Sequence, residues 1–346
     1  MPRAPSHILI LRTDNIGDVV LTLPLAGYLK QILPGVRVDF LVRAYAAPVV
    51  RQCRFVDEVL SVEQQDPDQL FQQGGYDTVI FAYPNRRLAT AARRARVPNR
   101  VGTSHRLFHW LTCNRLAHFS RVKSPLHEAQ LNFELLKPLG IDHIPPLPDI
   151  APLYGLQAPH LAQAEALRAQ APFNLILHPK SNGNGREWPL TRYTELAVRL
   201  QADSAVRIWI TGSPAEGELI ARQAPDLLAL PNVRNLCGQF DLAGLVALIG
   251  VADGLIASGT GPLHISTALG RPTLGLFPPI KPIDAARWGA LGSCARSLTA
   301  TQPCAGCTDP TTCGCMLAID AAQVEQVVLG WRHTAHPVQP AQAVDA

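Results

Sequence analysis

Short apolar runs alternate with amphipathic segments in both halves of the chain. In the first half such runs occupy 7–11, 36–42, 56–62 and 78–83, and the alternation restarts at residue 173. Parallel strands need a long crossover between them, usually a helix. Strands that alternate with helical patterns therefore indicate parallel sheets. The pattern predicts an α/β fold with two doubly wound parallel sheets.

Further boundaries follow from the same periodicities and from capping residues. Thr191 and Asp241 are predicted to cap the helices that begin beside them. Strands of the second half are predicted at 173–177, 206–210, 233–236, 254–257 and 273–277. Helices are predicted at 18–31, 85–96, 126–139, 162–171, 191–201, 214–223, 241–249, 262–269 and 321–331.

A proline-rich stretch separates the two halves. Six prolines fall between residues 145 and 172, and such composition is typical of a linker. A chain of 346 residues is also long for one core and favours two domains. We expect an N-terminal domain, a linker, a C-terminal domain, a terminal helix and a flexible tail. In that order they occupy 1–150, 151–172, 173–320, 321–333 and 334–346.

Two features of the sequence bear on its compartment. No apolar run approaches the ~20 residues that span a bilayer, and the first run, 7–11, is too short for a signal peptide. We therefore expect a cytoplasmic chain whose eight cysteines are thiols or metal ligands rather than disulfides. A structural zinc site and a reduced thiol-rich loop are both open for one cluster of cysteines. The cluster consists of Cys304, Cys307, Cys313 and Cys315.

Positive charge is concentrated in one segment of the first half. No acidic residue occurs between Asp77 and Glu128. The cationic residues of this segment are Arg86, Arg87, Arg93, Arg94, Arg96, Arg100, Arg106, Arg115, Arg121 and Lys123. Such a block would attract phosphates, nucleic acid or an anionic membrane surface. A solvated basic helix face is the alternative.

The turn after the first predicted strand carries two carboxylates, Asp14 and Asp18. A strand-to-helix turn of a parallel sheet lies at the carboxyl edge, where ligands bind. The alternative is that one of the two merely caps the following helix, since Asp is a favoured N-cap residue.

The loop 178–189 has a corresponding position in the second half. It is small, polar and basic. Its glycines allow a ligand to approach the backbone closely, and Lys180 and Arg186 can offset the charge of a phosphate. An exposed mobile loop is the alternative reading, but the position after a strand favours a binding role.

Two further turns of the second half carry polar candidates. Glu216 could accept hydrogen bonds from a ribose or favour the dipole of its own helix. The glycine-rich turn 257–264 leads into a helix with Pro262 at a favoured first position. The exposed amides of such a helix start suit a diphosphate. His264 could reach a phosphate or be only a core or capping residue.

Taken together, these residues resemble the heptosyltransferases, glycosyltransferase family 9, which add heptose to the inner core of lipopolysaccharide. The resemblance covers most of the chain, and the order and spacing of its motifs carry it. The motifs are RTDNIGDVVLTLP at 12–24, HP at 178–179, REWP at 186–189, TGPLH at 260–264, ARWG at 286–289 and CMLAI at 315–319.

The resemblance implies a GT-B fold, in which two Rossmann-like domains face an interdomain cleft. It also implies a metal-independent, inverting transfer from ADP-heptose, with no cofactor besides this nucleotide-sugar co-substrate. By the family pattern Asp18 is the general base that takes a proton from the acceptor hydroxyl. The donor and its phosphates would be held by Lys180, Ser181, Arg186, Glu216, Thr260, Gly261, Pro262 and His264.

The resemblance further assigns the acceptor to the N-terminal domain and the nucleotide sugar to the C-terminal domain. An anionic lipopolysaccharide core suits the basic segment. The residues expected to bind this acceptor are Asn15, Arg86, Arg87 and Arg106. We expect a monomer in peripheral contact with the inner face of the inner membrane, and no nucleic-acid partner.

One position departs from the family pattern. Gly259 stands where the family often has an Asp near the hydroxyls of the donor sugar, which leaves the identity of that sugar open. Two other functions are also open. A nucleotide-sugar epimerase of GT-B type would need no basic acceptor face, and a non-catalytic binder would not need Asp18. Sugar transfer, a free epimer or no turnover distinguishes the three.

Overall fold

The computed structural model of the chain describes residues 4–301 except 182 and 184, together with 314–335. Its strands form two six-stranded sheets in which all neighbours are parallel. The first sheet contains β1 (His7–Leu11), β2 (Arg37–Val42), β3 (Glu58–Ser61), β4 (Thr78–Phe81), β5 (Asn99–Thr103) and β6 (Arg115–Ala117). The second contains β7 (Phe173–His178), β8 (Val206–Ile210), β9 (Val233–Asn235), β10 (Gly254–Ala257), β11 (Thr273–Phe277) and β12 (Ala295–Thr299).

Both sheets have the same strand order. The first runs β3-β2-β1-β4-β5-β6, and the second repeats that order as β9-β8-β7-β10-β11-β12. The direction of winding reverses between β1 and β4 and again between β7 and β10. Ligands bind at such switch points, outside the carboxyl ends of the strands. The two Rossmann-like sheets that the GT-B expectation requires are confirmed.

The central strands are apolar because both of their faces are buried. In β1, Ile8 and Ile10 pack into one hydrophobic cluster, and Leu9 and Leu11 pack into another on the opposite face. Successive side chains of a strand point to opposite faces. A strand covered by helices on both sides therefore has no polar alternation, which is why 7–11 is a continuous apolar run.

The helices mostly follow the predicted positions. They are α1 (Ile16–Val20), α2 (Pro24–Ile32), α3 (Ala47–Val50), α4 (Pro67–Gln73), α5 (Arg86–Arg94), α6 (Leu107–Thr112), α7 (Glu128–Phe133), α8 (Leu147–Ile150), α9 (Ala162–Arg168), α10 (Leu190–Leu200), α11 (Pro214–Gln223), α12 (Pro225–Ala229), α13 (Leu242–Val251), α14 (Gly261–Ala268), α15 (Ala285–Trp288) and α16 (Ala321–Ala335). Short 3₁₀ helices cover Val62–Gln64, Lys137–Leu139, Ala151–Leu153 and Met316–Ala318.

Three predictions about helices are wrong in detail. The helix predicted at 126–139 is α7 (Glu128–Phe133), which is followed by turns and the 3₁₀ helix Lys137–Leu139. The single helix predicted at 18–31 is two helices, because Pro24 starts α2 and cannot supply the amide that would continue α1. Thr191 is not an N-cap, since α10 begins at Leu190 with Pro189 at the cap position. The predicted cap Asp241 is confirmed: its Oδ1 accepts a hydrogen bond from the amide of Gly244 at 2.7 Å.

Helices of the two halves pack against each other. α1 contacts α14, α3 contacts α13, and α2 contacts the 3₁₀ turn Ala151–Leu153. The terminal helix α16 lies on α10, where Nη1 of Arg199 is 3.3 Å from Oε2 of Glu325. Of the predicted flexible tail, all but its first two residues lie outside the described part of the chain. Among the described helices, none is both long and apolar enough to cross a membrane.

Candidate active site

Two helix starts meet between the sheets. α1 follows β1 and α14 follows β10, so both begin at switch points. A Cβ on Gly261 would overlap Cγ2 of Ile16, and a Cβ on Gly17 would lie 3.0 Å from Cδ2 of His264. Glycine at these two positions therefore permits the close approach of α1 and α14, because any side chain there would separate them.

A cavity of about 480 Å³ opens beside this contact. Its walls come from the loops that follow β1, β7 and β10, so both halves contribute to it. The residues predicted to hold the donor all line this cavity, together with Asp18 and Asn15. The first cavity is therefore the place where the sequence-predicted site residues come together, and their binding roles remain predictions.

Asp18 lies in the first turn of α1 and is paired with Arg12. Oδ1 of Asp18 accepts a hydrogen bond from Nη2 of Arg12. Oδ1 of the neighbouring Asp14 accepts one from Nε of Arg12 at 2.7 Å. The N-cap of α1 is Asn15, so the alternative that an Asp caps this helix is wrong. The Asp18 side chain keeps 15% of its surface exposed, so it remains accessible from the cavity.

Arg12 is held by residues far along the chain. It is buried, and its Nη1 donates to Oδ1 of Asn132 at 3.2 Å and to the carbonyl of Ala82 at 3.4 Å. Nδ2 of Asn132 in turn donates to the carbonyl of Leu21 at 2.9 Å. This network fixes the guanidinium that orients Asp18. Burial is the main cause that raises the pKa of Asp14 above its ordinary value, and Arg12 opposes it.

Lys180 and Ser181 share one buried carboxylate partner, Glu187. Nζ of Lys180 forms an ion pair with Oε2 of Glu187. Oε1 of Glu187 accepts hydrogen bonds from the amide of Ser181 at 2.9 Å and from its Oγ at 3.2 Å. Glu187 therefore orders the start of the loop after β7. Sequence reasoning quoted Glu187 only within a motif and did not assign it a place in the site.

The start of α14 contains two polar atoms that lack a partner. Among the described residues, neither Oγ1 of Thr260 nor Nδ1 of His264 has a hydrogen-bond partner, although both atoms are buried. Buried polar atoms are nearly always hydrogen-bonded. Two such atoms on residues that line a cavity therefore point to a ligand. Burial, assisted by the nearby His127, lowers the pKa of His264 to about 3, so the ring is neutral near pH 7.

Glu216 and His178 line the same cavity from the β7 and β8 side. Oε2 of Glu216 accepts a hydrogen bond from the amide of Ser213 at 2.7 Å, in a capping box at the start of α11. Glu216 therefore stabilises the start of its own helix, which was one of the two alternatives for this residue. Nδ1 of His178 lies 2.9 Å from Oγ1 of Thr211, and burial lowers the pKa of His178 to about 4.

Gly259 lies in the cavity wall between β10 and α14. Its φ is +23°, and a Cβ there would lie 3.3 Å from Cε1 of Phe277. The left-handed backbone and the close aromatic ring both favour glycine at this position. Glycine at position 259, where the family often has Asp, thus fits the local backbone.

A buried ion cluster joins the two halves beside Asp18. Both carboxylate oxygens of Glu128 are used: Oε1 pairs with Nη1 of Arg121, and Oε2 pairs with Nη2 of Arg287 from α15. Nη1 of Arg287 donates to the carbonyl of Arg121 at 2.6 Å. Nε2 of His127 lies 3.0 Å from the carbonyl of Gly289. Burial, followed by the charges of Arg12 and Arg287, lowers the pKa of Arg121 to about 9.

A second cavity of about 520 Å³ lies on the other side of Asp18. Its cationic lining residues are Arg12, Arg106, Arg121 and Arg287. Asp18 and Trp288 line both cavities. The carboxylate of Asp18 can therefore face ligands in two compartments, of which the second suits an anionic group.

The other predicted site residues are divided among the two cavities and other parts of the chain. Arg106 lines the second cavity, whereas Asn15 lines the first. Arg86 and Arg87 begin α5, and Arg86 borders a separate groove against α6. Cys304, Cys307 and Cys313 lie outside the described residues, and Cys315 is buried in the second hydrophobic core. The zinc and thiol alternatives for this cluster therefore both remain predictions.

Comparison with known proteins gives one family match. The family model described as glycosyltransferase family 9 (heptosyltransferase) matches residues 69–314. The lipopolysaccharide heptosyltransferase 1 of Pseudomonas aeruginosa is 28% identical over 326 residues, which is 88% of this chain and 87% of the relative.

Two solved structures share the fold. The glycosyl transferase family 9 protein of Veillonella parvula has a TM-score of 0.73 at 18% identity, covering 95% of this chain and 99% of that one. E. coli heptosyltransferase WaaC with ADP has a TM-score of 0.68 at 22% identity, covering 94% of this chain and 99% of that one. At these identities the similarity shows the common architecture of the two sheets.

Proposed function

Because the chain belongs to glycosyltransferase family 9, the heptosyltransferases, we propose that it moves a heptose from ADP-heptose to the inner core of lipopolysaccharide or a similar anionic glycolipid. One observation carries this proposal: Asp18 lies on the wall that two cavities share. A transferase needs a donor compartment and an acceptor compartment with a base between them, and a simple binder does not.

The first cavity is the proposed donor site. The amides at the start of α14 and the cations Lys180 and Arg186 suit the diphosphate, whose negative charge grows as the glycosidic bond breaks. Thr260 and His264 would supply hydrogen bonds to the donor. Burial keeps His264 neutral near pH 7, so it would contribute a hydrogen bond rather than a charge. Glu216 would bind a ribose hydroxyl through lone pairs that its capping bond does not use.

The second cavity is the proposed acceptor site. Its arginines, including Arg106, suit the carboxylates and phosphates of an inner-core acceptor. In the proposed step Asp18 takes the proton from the acceptor hydroxyl as that oxygen attacks the anomeric carbon. The bond to the nucleotide diphosphate breaks on the opposite face, so the anomeric configuration is inverted and ADP leaves. Arg12 would hold the Asp18 carboxylate in the required orientation.

The proposal divides the chain by substrate. Residues 1–150 would form the acceptor domain and 173–320 the nucleotide-sugar domain, with 151–172 as their linker. The names of the P. aeruginosa relative and of the WaaC structure with ADP support a lipopolysaccharide acceptor and an adenine nucleotide. The enzyme would act as a monomer on the inner face of the inner membrane, and no step requires a metal cofactor.

The test combines binding and product analysis. Calorimetry with ADP-heptose, a GDP-sugar and a UDP-sugar should show the tightest binding for ADP-heptose. Incubation of the enzyme with ADP-heptose and a delipidated, Kdo-bearing inner-core oligosaccharide should yield ADP and an extended oligosaccharide. A free epimer of the nucleotide sugar, or binding without turnover on any acceptor, would replace this function by one of the two alternatives.

A further inference from the structure

The helix α6 exposes an apolar stripe. Leu107, Trp110 and Leu111 have 86%, 57% and 71% of their surface exposed. Their spacing of three and four residues places them on one face of the helix. An amphipathic helix of a globular domain normally turns such a face toward the core. In α6 that face lies outward instead.

The opposite face of α6 holds the helix in this orientation. His109 is fully buried, and its Nδ1 lies 3.0 Å from the carbonyl of Thr103. Phe108 packs against the His109 ring with centroids 4.5 Å apart. Burial lowers the pKa of His109, which favours the neutral form of the ring. The exposure of the apolar stripe is therefore a consequence of specific packing.

Cations surround the stripe. Nη1 of Arg93 donates to the carbonyl of Leu111 at 2.5 Å. Arg86, Arg93 and Arg94 of α5 border a groove with Phe108 and Leu111 of α6, and Arg106 precedes the helix directly. No acidic residue occurs between Asp77 and Glu128. Apolar side chains within a positively charged surface are typical of interfacial helices that bind anionic bilayers.

Another exposed apolar residue lines the second cavity. Val122 has 82% of its surface exposed and lines that cavity together with Arg106, the residue that directly precedes α6. We define the α6 patch as Leu107, Trp110, Leu111 and Val122. If the α6 patch lay against a bilayer, the second cavity would lie beside the lipid headgroups.

We propose that the α6 patch is a membrane-docking element that inserts into the headgroup region of an anionic phospholipid bilayer. Leucine side chains contribute apolar burial there, and tryptophan is favoured at this depth because its indole is amphipathic. The flanking arginines add electrostatic attraction to anionic lipids. A second copy of this chain would bring the same positive charges together, so charge complementarity favours the bilayer. The docking itself is independent of the donor, and it deepens the proposed function by placing a lipid-linked acceptor next to Asp18.

Vesicle flotation tests the proposal. The wild-type chain should float with vesicles of phosphatidylglycerol and phosphatidylethanolamine, and less with phosphatidylcholine alone or at high salt. The triple variant Leu107→Ser, Trp110→Ser, Leu111→Ser should bind the anionic vesicles at least about tenfold more weakly, because it loses the apolar insertion. The matched control Ile32→Ser, Val198→Ser, Leu317→Ser changes three other exposed apolar residues and should bind like wild type.

A double variant, Leu107→Ser with Leu111→Ser, keeps the hydrogen bond from Nε1 of Trp110 to the carbonyl of Ser104 at 2.8 Å. It covers the case in which the triple variant fails to fold, and it should also lose most vesicle binding. Wild-type affinity of a folded double or triple variant for anionic vesicles would overturn the proposal. So would wild-type protein that ignores vesicles but forms dimers that the variants lose.

Turnover on the delipidated oligosaccharide separates this proposal from the proposed function. The triple variant should retain that turnover while losing vesicle binding. If the wild type floats with vesicles but transfers no sugar, the docking element stands and the transferase function fails. If the wild type transfers sugar but does not float, the docking element fails alone.

Discussion

The two sheet edges that meet at the cleft satisfy their polar groups in different ways. At the N-terminal edge, Arg12 pairs with Asp14 and Asp18, and Glu128 pairs with Arg121 and Arg287. At the C-terminal edge Lys180 pairs with Glu187, but within the described part of the chain Oγ1 of Thr260 and Nδ1 of His264 are buried without any hydrogen-bond partner.

The difference indicates that the two edges have different roles. The N-terminal edge is ordered by ion pairs, one of them with Arg287 of the C-terminal half, so the proposed base Asp18 has a defined orientation before any substrate would arrive. We propose that a ligand completes the C-terminal edge, because among the described residues these two buried atoms have no hydrogen-bond partner. Removing a polar group should therefore cost stability at the first edge and affinity at the second. Four predictions follow from that contrast.

The largest effect is expected from Asp18→Asn. The amide cannot accept the proton, so kcat should fall by about 10²- to 10⁴-fold while donor affinity stays near wild type. The measurement is steady-state turnover together with calorimetry on the nucleotide sugar. Asp14→Asn is the matched control, since Asp14 also pairs with Arg12 but lines only the second cavity. Its effect on kcat should be much smaller. Near-normal turnover of Asp18→Asn would remove the base assignment.

Glu128→Gln should destabilise the fold by about 3 kcal/mol, because it leaves the buried Arg287 and the partly buried Arg121 without their carboxylate. Urea unfolding monitored by circular dichroism measures this loss. The control is Glu195→Gln. Glu195 also lies between two arginines, Arg192 and Arg199, but its side chain is 35% exposed whereas that of Glu128 is 2% exposed, and solvent-accessible pairs contribute less than about 1 kcal/mol. Equal losses in the two variants would show that the cluster is no more important than a surface network.

Thr260→Val should weaken donor binding by about tenfold, since one hydrogen bond to the ligand is lost. The stability of the free protein should be unchanged or higher, because the hydroxyl has no partner among the described residues. Thr267→Val on the same helix provides the contrast. Its Oγ1 donates to the carbonyl of His264 at 2.9 Å, so its loss should reduce stability by about 1 kcal/mol. If Thr260→Val lost as much stability as Thr267→Val, the contrast between the two edges would be wrong.

The free energy of unfolding should also decrease on acidification, because of a histidine at the C-terminal edge. Burial lowers the pKa of His264 to about 3, whereas an unfolded histidine has a pKa of about 6.5. Between these values the unfolded chain binds a proton that the folded chain does not. The free energy of unfolding therefore falls as pH drops from 6.5, by at most about 1.4 kcal/mol per pH unit for this histidine. His264→Gln should flatten the slope in urea titrations at several pH values, and an unchanged slope would contradict the assignment.

The sequence predicts the central strands better than the outer ones. The strands at 7–11, 206–210, 254–257 and 273–277 have the predicted bounds because burial on both faces makes them apolar. β5, β6 and β12 were not predicted. All three are short and contain arginine, and their extended conformation comes from pairing with β4, β5 and β11. Such pairing is a tertiary effect that overrides local propensity.

The candidate site also has a part that the sequence predicts and a part that it does not. The position of Asp18, Lys180 and Thr260 around one cavity could be predicted because each follows a strand at the carboxyl edge, and their roles remain predictions. The partnership of Arg12 with Asn132 spans 120 positions, and no local pattern encodes it. The outward face of α6 was equally hidden, since three apolar residues at helical spacing normally predict a core contact.

Trp288 lines both cavities, as Asp18 does. Indole emission depends on the polarity of its surroundings, so filling either compartment alters the light that this side chain emits. The chain thus carries an intrinsic fluorophore beside the proposed base. In a variant whose other four tryptophans are replaced, its signal, resolved in time, would give the order in which the two proposed substrates arrive without any attached dye.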